Sequence, residues 1–291
     1  MTTTAPGEKT HHSSGSGAWL RKGLQVLRGR ASHAYPQEHL QRPAIVFSPH
    51  FDDETLGCGG LIIKKKRAGA DIKIVFMTDG TGSHRNLMSP EDLAAVRLAE
   101  AIDAAKVMGL ERADVIALGF EEQKLGLHRN VAAEQVAQIL DWYRPEEIWI
   151  PHSREPLIWS PDHRETTRVV KEAARRTGRD YAVFEYPVWL WFNYPWIDLP
   201  AASFRETLRL IRTSLSGAFG LHLTRTCRLE LDIGDVLELK RAALAAHRSQ
   251  MMRFNADPDW GTLADVANGQ FLQCFLQPRE IFAAGRLDGV K

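Results

Sequence analysis

From Pro43 onward, short apolar runs alternate with stretches in which apolar residues recur at helical spacing. Ala44–Ser48, Ile72–Thr78, Val115–Gly119, Glu147–Pro151 and Ala182–Tyr186 are of strand length, rich in Ile, Val and Phe, and closed by turn residues, so each predicts a buried strand. Helical periodicity runs between them over Leu61–Ala68, Pro90–Met108, Val131–Tyr143 and Pro161–Thr177, with Pro90 at a favoured helix start. Continuous apolar strands separated by helices predict a parallel sheet covered on both faces, an α/β three-layer sandwich with a mostly parallel sheet. From about Arg205 the pattern is mostly helical, with a further strand over Arg228–Ile233 and a helix opened by Asp235.

Two segments fall outside this alternation. Met1–Gly17 is rich in Thr, Ser, Gly and Pro and has no apolar period, so it reads as disordered, without the apolar stretch of a signal peptide. Leu20, Leu24 and Leu27 then fall at helical spacing among Arg21, Lys22, Arg28 and Arg30. A basic amphipathic helix there would give weak peripheral membrane contact through residues 18–30, while the plainer reading is a poorly ordered arm or docked cap. The domain division is therefore an arm over 1–38, disordered or weakly helical, and one domain over 39–291. Pro187–Pro195 and its flank gather Trp189, Trp191, Phe192, Tyr194 and Trp196, either as a wall of the core or as a platform for sugar faces. Its uncharged stretch is too short to span a bilayer.

Composition narrows the class of function. A hydrophobic content of 44% with 25% charged residues is that of a soluble globular protein, read here as cytoplasmic. The net charge of +1 leaves no electrostatic footprint for nucleic acid. Three cysteines without a CxxC pair exclude a disulfide framework and a Cys-rich zinc ribbon, so any metal site must be built from His and carboxylates.

That chemistry is present in Pro49-His50-Phe51-Asp52-Asp53-Glu54, followed by Gly57-Cys58-Gly59-Gly60, read as a Gly-rich turn into the helix. It follows a buried strand directly, where ligand sites of open α/β sheets lie. A neutral imidazole and one carboxylate suit a divalent metal, leaving the second carboxylate free. Ser160-Pro161-Asp162-His163 opens a helix after another strand, and His163 can complete a site of two histidines and one carboxylate.

The pair resembles the family of N-acetylglucosaminyl-phosphatidylinositol de-N-acetylases, the PIG-L or LmbE-like zinc deacetylases. Met77-Thr78-Asp79-Gly80, Arg97-Leu98-Ala99-Glu100, Leu118-Gly119-Phe120-Glu121-Glu122, and Lys240 with His247-Arg248-Ser249-Gln250 resemble further family motifs in order, over about residues 43–285. The resemblance implies a Rossmann-like (LmbE-like) fold and a hydrolase that removes the N-acetyl group from an N-acetylated amino sugar or glycoconjugate. It implies Zn2+, with Fe2+ as an alternative, held by His50, Asp53 and His163, with Asp52 as general base and Arg97 in substrate binding.

The sequence departs from the family pattern at three points. Phe51 replaces the usual Pro, Glu122 stands for the usual Asp, and Ser160 stands where many members have a histidine that polarises the substrate carbonyl. Glu122, Ser160 and His152 are accordingly candidate substrate-side residues. Two other readings stay open: a phosphohydrolase holding Mg2+ on Asp52, Asp53 and Asp162, and a non-catalytic sugar-binding module with a vestigial metal site. The sugar itself and the oligomeric state are not legible in the sequence.

Overall fold

The computed structural model describes residues 15–84, 86–201, 203–254 and 257–287. The elements run in chain order as α1 (Gly15–Ala31), β1 (His33–Ala34), β2 (Ala44–Ser48), α2 (Asp53–Arg67), β3 (Ile72–Thr78), α3 (Pro90–Val107), β4 (Val115–Phe120) and α4 (Arg129–Tyr143). They continue as β5 (Glu147–Pro151), α5 (Asp162–Thr177), β6 (Ala182–Tyr186), α6 (Phe204–Ser216), α7 (Leu221–Thr226) and β7 (Leu229–Asp232). The last are α8 (Leu237–Ala246), α9 (Arg248–Met251), α10 (Gln270–Gln273) and β8 (Arg279–Ala284).

The strands form one eight-stranded sheet in the order β1-β7-β8-β6-β5-β2-β3-β4, parallel except where β8 pairs with β6 and β7. Side chains alternate across a strand, so each strand feeds two cores. Val46, Ile74 and Phe76 meet Leu56, Leu61 and Ile62 of α2 and Ala101 and Ala105 of α3 on one face. Ile45, Phe47, Val75 and Ile150 meet Val136 and Leu140 of α4 and Val169 and Val170 of α5 on the other. The chain runs outward from β2 through β3 to β4, then returns to the other flank of β2 with β5 and β6. Right-handed crossovers in opposite directions place helices on opposite faces, and the reversal opens a crevice beyond the carboxyl ends of β2 and β5.

The five predicted strands and the expected three-layer, mostly parallel architecture are found, with shifts of a residue or so at their ends. The segment read as a Gly-rich turn is a correction: Gly57, Gly59 and Gly60 lie inside α2, which starts at Asp53 rather than Leu61. These glycines serve close packing. A Cβ on Gly57 would stand 2.2 Å from the Tyr186 ring, and one on Gly60 2.5 Å from Ile233 Cγ2. The sheet also reaches into the segment assigned to the arm. His33 and Ala34 pair with Leu229 and Glu230, and the buried Tyr35 hydroxyl donates to Glu147 at 2.8 Å. Helix α1 lies against the domain: Leu24 packs with Trp196 and Leu223, and the Arg21 guanidinium bonds Pro195 O and Asp198. The expectation of disorder for Met1–Gly17 lies outside the described residues as far as residue 14. Among the described residues no helix is long and apolar enough to cross a membrane.

Candidate functional site

The first motif leaves the end of β2 and turns sharply into α2. Asp52 makes the turn with φ 137° and ψ −28°, a conformation rare for a residue with a side chain and retained only where its surroundings impose it. They do so through Glu54, fully buried, which accepts the Asp52 N–H at 3.0 Å and faces His247 Nε2 at 3.1 Å and Thr55 Oγ1 at 2.6 Å. Arg97 clamps the turn from α3, donating to Phe51 O at 2.7 Å and Gly80 O at 2.8 Å. Gly80, with φ 70°, leaves room for the Phe51 ring, which a Cβ there would meet at 2.7 Å. Phe51 thus fills the core side of the turn, packed on Phe76 at 4.6 Å between ring centres.

His50, Asp53 and His163 converge at the crevice, with candidate ligand atoms all within 4.8 Å of one another. Asp53 Oδ2 lies 3.1 Å from His50 Nδ1 and 3.3 Å from His163 Nε2. The other nitrogen of His50 faces Asp162 at 3.4 Å and Glu122 at 3.7 Å, while Trp189 Nε1–H donates to His163 Nε2 at 3.2 Å. Among the described residues, buried His50 Nε2, His163 Nδ1 and Asp162 Oδ1 have no hydrogen-bond partner. The carboxylates of Asp52, Asp53, Glu122 and Asp162 gather here around two imidazoles, with the Arg97 guanidinium 3.7 Å from Asp52 and 3.8 Å from Glu122. Such an excess of buried negative charge calls for a cation, and two imidazoles with one carboxylate are a donor set that suits a divalent transition metal. His50, Asp53 and His163 therefore fit a metal.

The titration states follow from the same crowding. Burial raises the Asp52 carboxyl and the neighbouring Asp53 charge raises it further, to about 7 against the pull of Arg97. Burial also works against Asp53, but His163 and His50 outweigh it and hold Asp53 below its ordinary value. Burial brings His163 down to about 4, whereas at His50 the carboxylates of Glu122, Asp162 and Asp53 overcome burial and lift it.

The site opens into a cleft of about 670 Å3. Asp52, Arg97, Glu122 and Ser160 line it with His50 and Asp53, so these expected residues are brought together. Arg97 is spent mainly on backbone carbonyls, and Glu100, three residues on along α3, accepts Ser249 N and Oγ. Glu122 accepts the Gly82 N–H at 2.8 Å, and Ser160 Oγ accepts the Asp162 N–H at 3.1 Å. The Trp-rich segment divides. Trp189 lines the cleft beside Trp159, ring centres 4.2 Å apart, whereas Phe192 and Trp196 are buried packing residues. His84 and Gln250 also line the cleft. His84 stacks on Trp260 at 4.0 Å, a pairing across distant sequence that no local pattern signals. Trp189 is signalled only as one of a cluster of aromatics.

His152 does not share this cleft. It is 3% exposed, its Nδ1 accepts the Arg154 N–H, and it packs edge-on against His222. Burial pulls its pKa from 6.5 to about 4, helped by His222, Arg154 and Lys171 and opposed by Glu185. The unfolded chain therefore takes up a proton at a pH where the folded chain does not, and stability present above pH 6.5 is lost as pH falls towards 4. We expect this group to contribute about 3 kcal/mol of acid destabilisation over that window. Urea unfolding as a function of pH checks it: the stability difference between wild type and His152→Gln should shrink towards pH 4, and a difference constant with pH would exclude the assignment.

Residues 45–174 match the family profile described as PIG-L: GlcNAc-PI de-N-acetylase. The chain is 28% identical over 210 residues to a diacetylchitobiose deacetylase of Thermococcus kodakarensis, covering 72% of this chain and 70% of that protein. It is 25% identical over 235 residues to a 1D-myo-inositol 2-acetamido-2-deoxy-alpha-D-glucopyranoside deacetylase of Mycobacterium sp., covering 72% and 74%. Among solved structures, N,N'-diacetylchitobiose deacetylase from Pyrococcus horikoshii superposes with a TM-score of 0.60 at 20% identity, over 96% of this chain and 95% of that one. The conserved protein TT1542 from Thermus thermophilus superposes with a TM-score of 0.53 at 23% identity, over 86% and 97%. Both structures share the fold.

Proposed function

Because this chain carries a PIG-L family domain over residues 45–174, we propose that it is a metal-dependent hydrolase that removes the acetyl group from an N-acetylated amino sugar. The observation that carries this reading is the convergence of His50, Asp53 and His163, with Asp52 beside them, at a cleft walled by Trp159 and Trp189. Aromatic rings suit the apolar faces of a sugar, and the cleft has the volume of a small-ligand site. Both relatives matched in sequence are named as deacetylases of acetamido sugars, which supports the same substrate class.

His50, Asp53 and His163 would hold the metal, and the two-histidine, one-carboxylate set favours zinc. Once bound, the metal supplies Lewis acidity towards the amide carbonyl and lowers the pKa of water. Asp52 takes no part in that ligand set and faces the same cleft, so its carboxylate can accept the proton of the attacking water. The new bond joins water oxygen to the acetyl carbon, the C–N bond breaks, and Asp52 returns its proton to the leaving nitrogen, giving acetate and the free amine. Arg97 fixes the backbone of the turn that carries Asp52, and Glu54 with His247 fixes it from below. Ser160 and Glu122 face the cleft as substrate-side groups.

The test is release of free amine from N-acetylglucosamine and N,N'-diacetylchitobiose. We expect turnover that is lost after treatment with a chelator and restored by Zn2+. Glycan binding without turnover by metal-loaded protein, or release indifferent to chelation, would overturn the reading.

A further inference from the structure

Helix α6 is amphipathic the wrong way round for a helix on a protein surface. It buries Leu210, Thr213 and Ser214. Leu210 joins the core, and the rest of this inner face is polar and hydrogen-bonded: Thr213 Oγ1 donates to Phe192 O at 2.7 Å, Asn193 donates to Thr213 O at 3.2 Å, and Ser214 Oγ accepts the Tyr194 N–H at 2.8 Å. Outward it turns Phe204, Leu208, Ile211 and Leu215, at spacings that form one stripe, and Phe219 follows just beyond the helix. Phe204 is 83%, Leu208 58% and Leu215 64% exposed. A surface helix ordinarily buries its apolar stripe, so an outward one marks an interaction face.

Charge selects the partner. Arg205, Arg209 and Arg212 flank the stripe, and the helix's acidic residue, Glu206, is turned to the protein, where it accepts the Ala267 N–H at 2.8 Å. Helix α1 lies close by: a Cβ on Gly17 would stand 3.4 Å from the Tyr194 ring, which meets Phe219 at 6.5 Å between ring centres. It turns Trp19 and Val26 outward together with the exposed Lys22 and Arg30, while Arg21 and Arg28 are turned to the protein, beside Asp198 and Glu230, and the helix carries no acid. This basic surface belongs to a chain whose net charge is only +1. A second copy related by a two-fold axis would bring the same arginines face to face, whereas anionic lipid headgroups complement them while the stripe enters the headgroup boundary.

We propose that the outward faces of α6 and α1 dock the protein onto an anionic membrane surface. The dock lies beside the cleft, since the Arg209 guanidinium sits 5.4 Å over the ring of Trp159, a cleft residue. The proposal does not depend on the reaction catalysed.

It is tested by sedimenting the full chain with vesicles of phosphatidylcholine alone or mixed with phosphatidylserine. We expect binding to the mixed vesicles, weakened by salt because the headgroup attraction is screened. The double variant Leu208→Ser/Leu215→Ser should reduce it by roughly tenfold or more, as should Arg205→Glu/Arg212→Glu. Melting curves of the serine variant should match wild type, since both positions are exposed. Failure of wild type to sediment with the mixed vesicles, or undiminished binding by the serine variant, overturns the proposal. So does a wild-type oligomer that the serine variant converts to monomer by light scattering, because the face then belongs to a second copy.

Discussion

Replacing Asp52 by Asn is expected to lower kcat by roughly 10²–10⁴-fold, the usual worth of a positioned general base. The protein should still fold and hold its metal. The substitution keeps the shape of the side chain, and the Glu54 and Arg97 bonds that impose φ 137° on this turn act on backbone groups that it leaves in place. It also removes a buried charge whose pKa is raised by burial and by the adjacent Asp53, so the variant should be no less stable than wild type. His163→Asn provides the contrast: it deletes a member of the converging set and should lose metal and activity together. Steady-state kinetics, metal analysis and thermal melts on the two variants separate the roles. An Asp52→Asn enzyme that retains its kcat removes Asp52 from the mechanism, and one that is inactive but metal-free reassigns it to the metal.

The residue types and the motif's position point to a metal site with one carboxylate left free, whereas the division of roles between Asp52 and His163 is what the family resemblance implies. Apolar runs with turn residues at their ends place His50 and Asp53 just past a parallel strand, and the topology of an open α/β sheet brings the end of the following strand pair, with His163, to the same crevice. Other parts depend on partners far away in the chain. Arg97 reads as a substrate-binding fork, but its nearest acceptors are the carbonyls of Phe51 and Gly80, which no spacing rule reveals. His152 ends a strand as a site residue would, yet it points into packing with His222. Strand β8 carries no clear local signal because Arg279–Ala284 is a single run at the end of a helical region, paired with β6 and β7 in an antiparallel sense. Glycine carries the most misleading signal. Local propensity places Gly57-Cys58-Gly59-Gly60 in a turn, and only the rings and branches that press on α2 from β6 and Ile233 explain why a helix needs them.

This last point carries a large effect on stability. Gly→Ala inside a helix ordinarily gains about 1 kcal/mol from propensity. At Gly57 the new Cβ would lie 2.2 Å from Tyr186 Cδ2 and 2.9 Å from Cε2. The ring cannot step aside, since it is fully buried and its hydroxyl donates to Phe47 O at 2.8 Å. Helix or ring must move, and overpacking of this kind costs about 3 kcal/mol or more, well beyond the propensity gain. Gly60→Ala meets Ile233 Cγ2 at 2.5 Å and should behave alike. Gly59→Ala meets the Lys240 stem at 3.1 Å, a looser approach, but Lys240 is fully buried and its Nζ donates to Leu56 O and Glu280 at 2.8 Å, so the change should cost less than Gly57→Ala without realising the propensity gain. Because α2 begins at Asp53, a shift of the helix also pulls one member of the converging set away from His50 and His163, so Gly57→Ala should lose metal affinity as well as stability. A double-mutant cycle with Tyr186→Leu decides between the packing account and a general intolerance of Ala: relief of the clash predicts that the pair is less destabilised than the two single changes combined. Simple additivity would mean that the close approach of the Tyr186 ring is not what holds glycine at this position.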